Sequence, residues 1–307
     1  MRVLVTGAFG FIGMAVSHLL AQRGVRVIGM GRSAPTGDHP HNDLFEQLEI
    51  GEITQARLAG LLGPIDAVIH CAGQASVSAS LKDPVKDRIA NVALTADLLS
   101  AVAGAGFRTQ PRLVFASSAA IYGHQLAQPI LTDAQPQPTS PYGVHKLEAE
   151  ALCRAAEAAG TVSLSIVRLF SIYGSGLRRQ LLWDACRKLQ TPQPQFMGTG
   201  AETRDWLHVQ DAAELLVRSA LEPSMPVTMN GGTGIGTRNR DLLETLARAL
   251  NRRETFTFSG VVPTGDPEHL VADVSQVFQT GWEPAVTLTE GVKDYARWFR
   301  QLPVTGG

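Results

Sequence analysis

Cysteine is scarce and badly spaced for structural work: the 307-residue chain has three, Cys71, Cys153 and Cys186, odd in number and without metal-ligand spacing. A disulfide framework and a cysteine-based metal site are therefore not expected, and the pattern suits a reducing compartment. Charge of one sign is also missing. A net charge of -1 gives no broad basic field for nucleic acid and no polybasic handle for a membrane surface. No apolar run approaches the roughly 20 residues that cross a bilayer. The chain opens directly on "MRVLVTG", a strand pattern with no basic segment and apolar stretch ahead of it. A cytoplasmic protein is expected, with neither nucleic acid nor membrane among its partners. Aromatic residues are few at 6%, against 44% hydrophobic and 18% charged, the balance of an ordinary globular chain without repeats or low-complexity segments.

Short β-branched runs alternate with amphipathic stretches through the first half. "RVLVT", "VRVIGM", "DAVIHCAG", "RLVFASS" and "VSLSIVRLF" read as strands. "FIGMAVSHLLAQRG", "PVKDRIANVALTADLLSAVAGAG" and "PYGVHKLEAEALCRAAEAAG" carry apolar residues three and four apart and end near glycine, as helices do. Nearly continuous apolar strands separated by helices predict a parallel sheet covered on both faces. The expected fold is α/β, a doubly wound Rossmann-type parallel sheet with a smaller C-terminal α/β substrate lobe. Residues 1–168 are assigned to a dinucleotide-binding domain, rejoined by part of 205–235. Residues 169–307, interrupted by irregular Pro-, Gly- and Thr-rich segments such as "TPQPQFMGTGAETRD", are assigned mainly to the interleaved substrate lobe.

"VTGAFGFIG" places Gly7, Gly10 and Gly13 between the first strand and the first helix. The turn there is sharp, a ligand must approach the backbone closely, and the helix must pack tightly on the sheet; glycine meets each need. Phe9, Phe11 and Ile12 share this turn and helix start, whose free N–H groups suit a pyrophosphate. At the end of the second strand an acidic residue would hold a ribose hydroxyl and an arginine would meet a 2'-phosphate. The chain offers Gly31-Arg32-Ser33, with no carboxylate until Asp38. Arg32 therefore favours NADP(H) over NAD(H), and Ala72 and Gly73 complete the expected cofactor side.

In "SPYGVHKLEAE" Tyr142 precedes Lys146 by four residues, which puts phenol and ammonium on one helix face. A cation beside a phenol lowers its pKa and makes it a usable acid or base. Strand-end serines, "SS" at 117–118, stand ready to join them.

Taken together, "TGAFGFIG", "HCAG", "SSAAIYG", "SPYGVHK", "RDWLHVQD" and "HLVADVSQVFQTGWEP" resemble, over nearly the whole chain and in order, the extended short-chain dehydrogenase/reductase family. The resemblance is to its NAD-dependent epimerase/dehydratase group, which acts on nucleotide sugars. It implies that Tyr142 is the catalytic tyrosine, and that Lys146 lowers its pKa and holds the nicotinamide ribose. Ser118, rather than Ser117, would hydrogen-bond the sugar oxygen. Asn91 matches a helix asparagine that supports the active site and is placed with the substrate contacts. Arg204 matches an arginine that binds the substrate diphosphate. The resemblance also implies a homodimer built on helices 84–103 and 141–159, although core packing accounts for the same apolar faces.

The departures from the family pattern are as informative. Dehydratases of the group place Asp-Glu directly after the active-site Ser or Thr, and members that epimerise neighbouring carbons place a cysteine two residues after it. Here those positions are Ala119 and Ala120, which cannot exchange a proton. Ser171 stands where an asparagine is frequent, and "VVPTGD" lacks a frequent arginine, so Arg178 and Arg179 are offered as substitute phosphate ligands. His70, Cys71, Trp206 and His208 are read as packing or backbone support. His145 is not counted as catalytic because it lies about 100° around the helix from Lys146.

The expected activity is hydride and proton transfer at C4 of a nucleotide-diphosphate sugar. A 4-keto-sugar reductase is favoured by Arg32; a 4-epimerase with tightly bound NAD is the alternative. A non-catalytic dinucleotide-binding scaffold is the remaining one, and no metal is expected.

Overall fold

The first strand, β1 (Arg2–Thr6), is buried along its whole length, as a strand covered on both faces must be. Its side chains alternate between two separate cores. Val3 and Val5 enter one with Val16, Leu20, Leu215 and Leu216, and Leu4 enters the other with Leu98, Leu113 and Ile166. The computed structural model describes residues 1–32, 44–61, 63–107, 109–252, 256–262, 265 and 267–303.

After β1 come α1 (Phe11–Gln22), β2 (Arg26–Gly31), β3 (Gln47–Ile50), α2 (Gln55–Ala59) and β4 (Ala67–His70). Then follow α3 (Val77–Lys82), α4 (Pro84–Arg88), a π-helical turn at Ile89–Ala93 and α5 (Leu94–Gly104). The first half closes with β5 (Arg112–Ser118), α6 (Pro141–Ala158) and β6 (Ser163–Leu169). Beyond it run β7 (Ser171–Tyr173), α7 (Gln180–Lys188), β8 (Gln195–Phe196), β9 (Thr203–His208) and α8 (Val209–Leu221). The remainder is β10 (Thr228–Gly231), β11 (Gly236–Arg238), α9 (Asn239–Ala249), β12 (Thr257–Phe258), β13 (His269–Leu270), α10 (Ser275–Phe278) and α11 (Leu288–Gln301).

Seven strands form a parallel sheet in the order β10-β6-β5-β4-β1-β2-β3. The order reverses between β1 and β4, the crevice where ligands of doubly wound sheets bind. The five strands expected from apolar runs are all present. β3 and β10, the two edge strands, carry no such run; β3 alternates half-buried with exposed residues, as an edge does. β10 is supplied by residues that follow the first part of the second lobe, and α8 packs against α1 under the sheet.

The second lobe is organised around β9. It pairs in parallel with β7 and β13 and antiparallel with β11. Its core gathers Leu182, Leu242, Leu246, Val292 and Tyr295 from α7, α9 and α11. No described helix is long and apolar enough to cross a membrane.

Candidate active site

A cavity of about 1130 Å³ runs from the β1–α1 turn, over the ends of β4 and β5, to β9 in the second lobe. The glycines at its first end are sterically required. Gly7 has φ +68°, and a Cβ there would stand 2.7 Å from the Ala72 nitrogen; a Cβ on Gly13 would stand 2.1 Å from the Gly7 carbonyl oxygen. Gly10 is the N-cap of α1, with no side chain to satisfy the free N–H groups and no acidic residue in the first turn. Such a helix start favours an anion. Gly7, Gly10, Phe11, Ile12, Gly13, Ala72 and Gly73 all line the cavity.

Phe9 is not among the lining residues. Its ring packs edge-on against Phe45 at 5.9 Å and covers Gly31, where a Cβ would lie 2.6 Å from the ring. Arg32 is exposed and lines the cavity just past β2. Asp38, the first carboxylate after β2, lies outside the described residues. A carboxylate that the sequence reading passed over, Glu52, also lines the cavity. It follows Gly51, whose amide donates to the Gly31 carbonyl at 2.9 Å and so brings it alongside β2.

Strand geometry separates the two serines at the tip of β5, since successive side chains point to opposite faces. Ser117 donates to Glu150 at 2.6 Å in a buried site. There Glu150 also pairs with Arg168 at 2.8 Å, and Arg168 reaches the Tyr122 hydroxyl at 3.0 Å. Ser118 faces the other way. Its Oγ accepts from the Ala120 amide at 3.2 Å and is in hydrogen-bond contact with the Tyr142 phenol. Ala119 and Ala120 line the cavity beside it.

Helix α6 begins where the sequence dictates, with Ser140 capping the Gly143 amide at 3.2 Å and Pro141 in the first turn. Tyr142 is thereby placed on the first turn. Burial pushes its phenol above the ordinary value, the hydrogen bond from Ser118 pulls it back, the Asp87 charge pushes it up and the Arg179 charge lowers it. The cation that offsets burial at the phenol is thus Arg179. Lys146, expected in that part from spacing alone, turns its ammonium to the Ala116 carbonyl at 2.8 Å and lies 4.6 Å over the Phe115 ring. Burial brings Lys146 down to about 8, against the opposing charges of Cys71, Cys153, Glu150 and Asp87.

Behind this centre lie residues that the sequence reading placed elsewhere or set aside. Asn91, expected among substrate contacts, does not line the cavity. It sits in the π-helical turn, donates to the Asp87 carbonyl at 3.1 Å, and backs Gly73, where a Cβ would stand 2.7 Å from its Oδ1. His70 bridges Thr6 at 2.6 Å and Thr95 at 3.2 Å, and burial holds it down at about 3, a neutral spacer between strand and helix. Burial pushes Cys71 up to about 12.

At the second end Arg179 and Arg204 line the cavity, whereas Arg178 stacks over Trp298 at 5.9 Å and does not. Arg204 donates to the carbonyls of Thr203 at 2.8 Å and Glu268 at 3.1 Å, which fixes its guanidinium on β9. Gln180, which no motif singled out, also lines the cavity with φ +66°, an uncommon conformation for a residue with a Cβ. Two further lining residues carry buried polar atoms without a hydrogen-bond partner among the described residues, Trp206 Nε1 and Asn239 Oδ1. Among the described residues there is no cluster of His, Cys, Asp or Glu able to hold a metal ion.

A dinucleotide cradle and a Ser/Tyr/Lys centre opening into one cavity are the parts of a pyridine-nucleotide enzyme of the short-chain dehydrogenase/reductase type. The profile of the NAD dependent epimerase/dehydratase family matches residues 3–230, and the chain belongs to that family. It is 31% identical over 100% of its length to the UDP-glucose 4-epimerase of Azospirillum brasilense, covering 94% of that protein. Among solved structures, MoeE5 in complex with UDP-glucose and NAD superposes with a TM-score of 0.85 at 30% identity, covering 98% of this chain and 99% of that one. The UDP-glucuronic acid 4-epimerase of Bacillus cereus, in complex with UDP-glucuronic acid and NAD, gives 0.86 at 26% identity over 98% and 99%.

Proposed function

We propose that the protein is a nucleotide-sugar 4-epimerase that retains NAD and interconverts the two configurations at C4 of a nucleotide-diphosphate hexose. The observation that carries this reading is the composition of the cavity around Ser118. Tyr142 and Ser118 converge on one another, while Ala119 and Ala120 put no acid or base at the two positions after the serine, where elimination or epimerisation at a neighbouring carbon would draw on one. The 4-epimerases among its relatives support the epimerase over the 4-keto-sugar reductase to which Arg32 pointed. The two solved relatives are complexes of a nucleotide sugar with NAD, which supports NAD(H) rather than NADP(H) here.

The cradle at Gly7, Gly10 and Gly13 fits such a group: it lines the cavity with an α1 N-terminus that no side chain caps, and its tight backbone packing leaves no room for a Cβ at Gly7 or Gly13. NAD bound there would supply the carbon that accepts hydride from the sugar and returns it. The chain's own residues handle the proton. Tyr142 Oη takes it from the C4 hydroxyl and gives it back, and Ser118 Oγ steadies the same oxygen as charge develops. Lys146, its ammonium held at the Ala116 carbonyl one turn along α6, would hold the nicotinamide ribose. Arg179 and Arg204 are the proposed diphosphate contacts, and charge-assisted bonds of this kind orient a substrate firmly. The sugar can turn between the two half-reactions only if its diphosphate stays anchored, which is the part these arginines play.

We also assign a homodimer to the helices at 84–103 and 141–159, where Val85 on α4, Ile89 in the π-helical turn and Val144 on α6 are exposed apolar side chains; sedimentation of the purified protein tests it.

The decisive experiment supplies UDP-glucose, UDP-glucuronic acid and related sugars to the purified protein and follows C4 configuration by NMR. An epimerase changes the sugar with no net change in reduced nicotinamide. Consumption of one NADPH or NADH per turnover of a 4-keto sugar would establish the reductase instead. Cofactor binding without turnover on the whole panel would leave the scaffold.

A further inference from the structure

Asp87 and His145 are 58 positions apart in the chain and meet between α4 and α6, with His145 Nδ1 2.7 Å from Asp87 Oδ2. The side chains are 1% and 10% exposed, so this is no solvent-screened surface pair. The pair touches the reacting centre from two directions. His145 lies on the turn of α6 between Tyr142 and Lys146. Asp87 holds Asn91 through its carbonyl, and Asn91 backs the cavity wall at Gly73. Its second carboxylate oxygen, Oδ1, is buried with no hydrogen-bond partner among the described residues. A carboxylate with an unused oxygen in a low-dielectric setting projects its charge onto its neighbours. Those neighbours include Tyr142, whose ionisation Asp87 opposes, and Lys146, whose charge it favours.

We propose that Asp87 and His145 form a positioning pair for the Ser118, Tyr142 and Lys146 centre, locking α4 and its π-helical turn to α6 and holding the Asp87 carboxylate where its charge sets the pH window in which Tyr142 works. The other groups facing Tyr142 are Arg179 from the start of α7 and Ser118 from β5. Lys146 is faced by Cys71 after β4 and by Cys153 and Glu150 on α6. Arg88 and Glu148, next in sequence or one turn from the pair, bind one another on the outer side of the same two helices. This role rests on Tyr142 being the proton-transfer group of the proposed function.

The test uses Asp87→Asn, His145→Asn and the double variant in the full-length chain with NAD. Two readouts are followed: tyrosinate difference absorbance, assigned to Tyr142 by its loss in Tyr142→Phe, and the pH profile of kcat on UDP-glucose. Asp87→Asn should move the phenol titration and the acid limb of kcat to lower pH by on the order of one unit, about tenfold in proton affinity. His145→Asn, which keeps a side-chain donor to Asp87 Oδ2 and leaves the carboxylate charge, should leave both in place. The double variant, an uncharged amide pair that keeps the contact, should follow Asp87→Asn and provides the reading if that single variant fails to fold. An unmoved Tyr142 titration in the folded Asp87→Asn and double variants, with only thermal stability reduced, would overturn the proposal. Absence of wild-type turnover on the sugar panel would overturn the epimerase reading alone, because the tyrosinate titration needs no turnover.

Discussion

The two ends of the cavity are built by different means. The cofactor end and the reacting centre rest on short, contiguous stretches, Gly7–Gly13, Ser117–Ala120 and Tyr142–Lys146, each at the junction of a strand or loop with a helix. The far end is assembled from residues distant in sequence, with Arg179 at the start of α7, Arg204 on β9 and Asn239 at the start of α9. The first kind of site is held by backbone geometry and the second by contacts among side chains. Damage to the first should therefore abolish chemistry or fold, whereas damage to the second should weaken binding.

Tyr142→Phe puts the comparison at its sharpest. Removing the positioned acid/base should lower kcat by about 10² to 10⁴ with KM little changed, as read by steady-state turnover. Gly13→Ala drives a Cβ into the Gly7 carbonyl. A loss of about 1–3 kcal/mol is expected in denaturant unfolding, together with weakened NAD retention on gel filtration. Arg179→Ala should act mainly on KM for the nucleotide sugar, raising it on the order of tenfold, since a charge-assisted hydrogen bond is worth about 1.5–3 kcal/mol. A fall in kcat larger than the rise in KM would show that Arg179 serves the phenol more than the phosphate. The smallest effect belongs to Arg32→Ala, which is exposed at the cavity edge. It should change the NAD to NADP affinity ratio by no more than a few-fold, because a solvated cation contributes little; a much larger drop in NADP affinity would restore the NADP(H) preference.

The same division explains what could be read from the sequence. The parallel sheet was legible because its central strands are continuous apolar runs, and the glycine turn because its spacing is short. Ser118 could be told from Ser117 through the family resemblance alone, by its place four residues before Tyr122; the alternation of the strand supplies the physical reason. Lys146 shows where local spacing stops being enough: four residues after Tyr142 put it on the same face, but its rotamer is decided by the Ala116 carbonyl on β5. Asn91, Phe9 and Arg178 were assigned to ligands from their motifs, and packing turns them toward Gly73, Phe45 and Trp298. Asp87 was invisible because its partner is on another helix, and Gln180 because a left-handed backbone angle at a glutamine has no sequence signature. His145 carried a hint, a titratable residue between two reacting ones. The angle that separates it from Lys146 is the angle that points it at Asp87.

The return of the chain to β10 has a consequence for how the protein is made. β6 gains its outer partner when Thr228–Gly231 arrive, and α1 packs against α8, both encoded after the second lobe has begun. On the ribosome the sheet therefore waits, with an open parallel edge and a helix face lacking that partner, while β7, α7, β8 and β9 emerge before α8 and β10. A fragment ending at Arg168 should accordingly aggregate rather than fold, and the two lobes cannot be exchanged between relatives by a single crossover at the boundary drawn from composition.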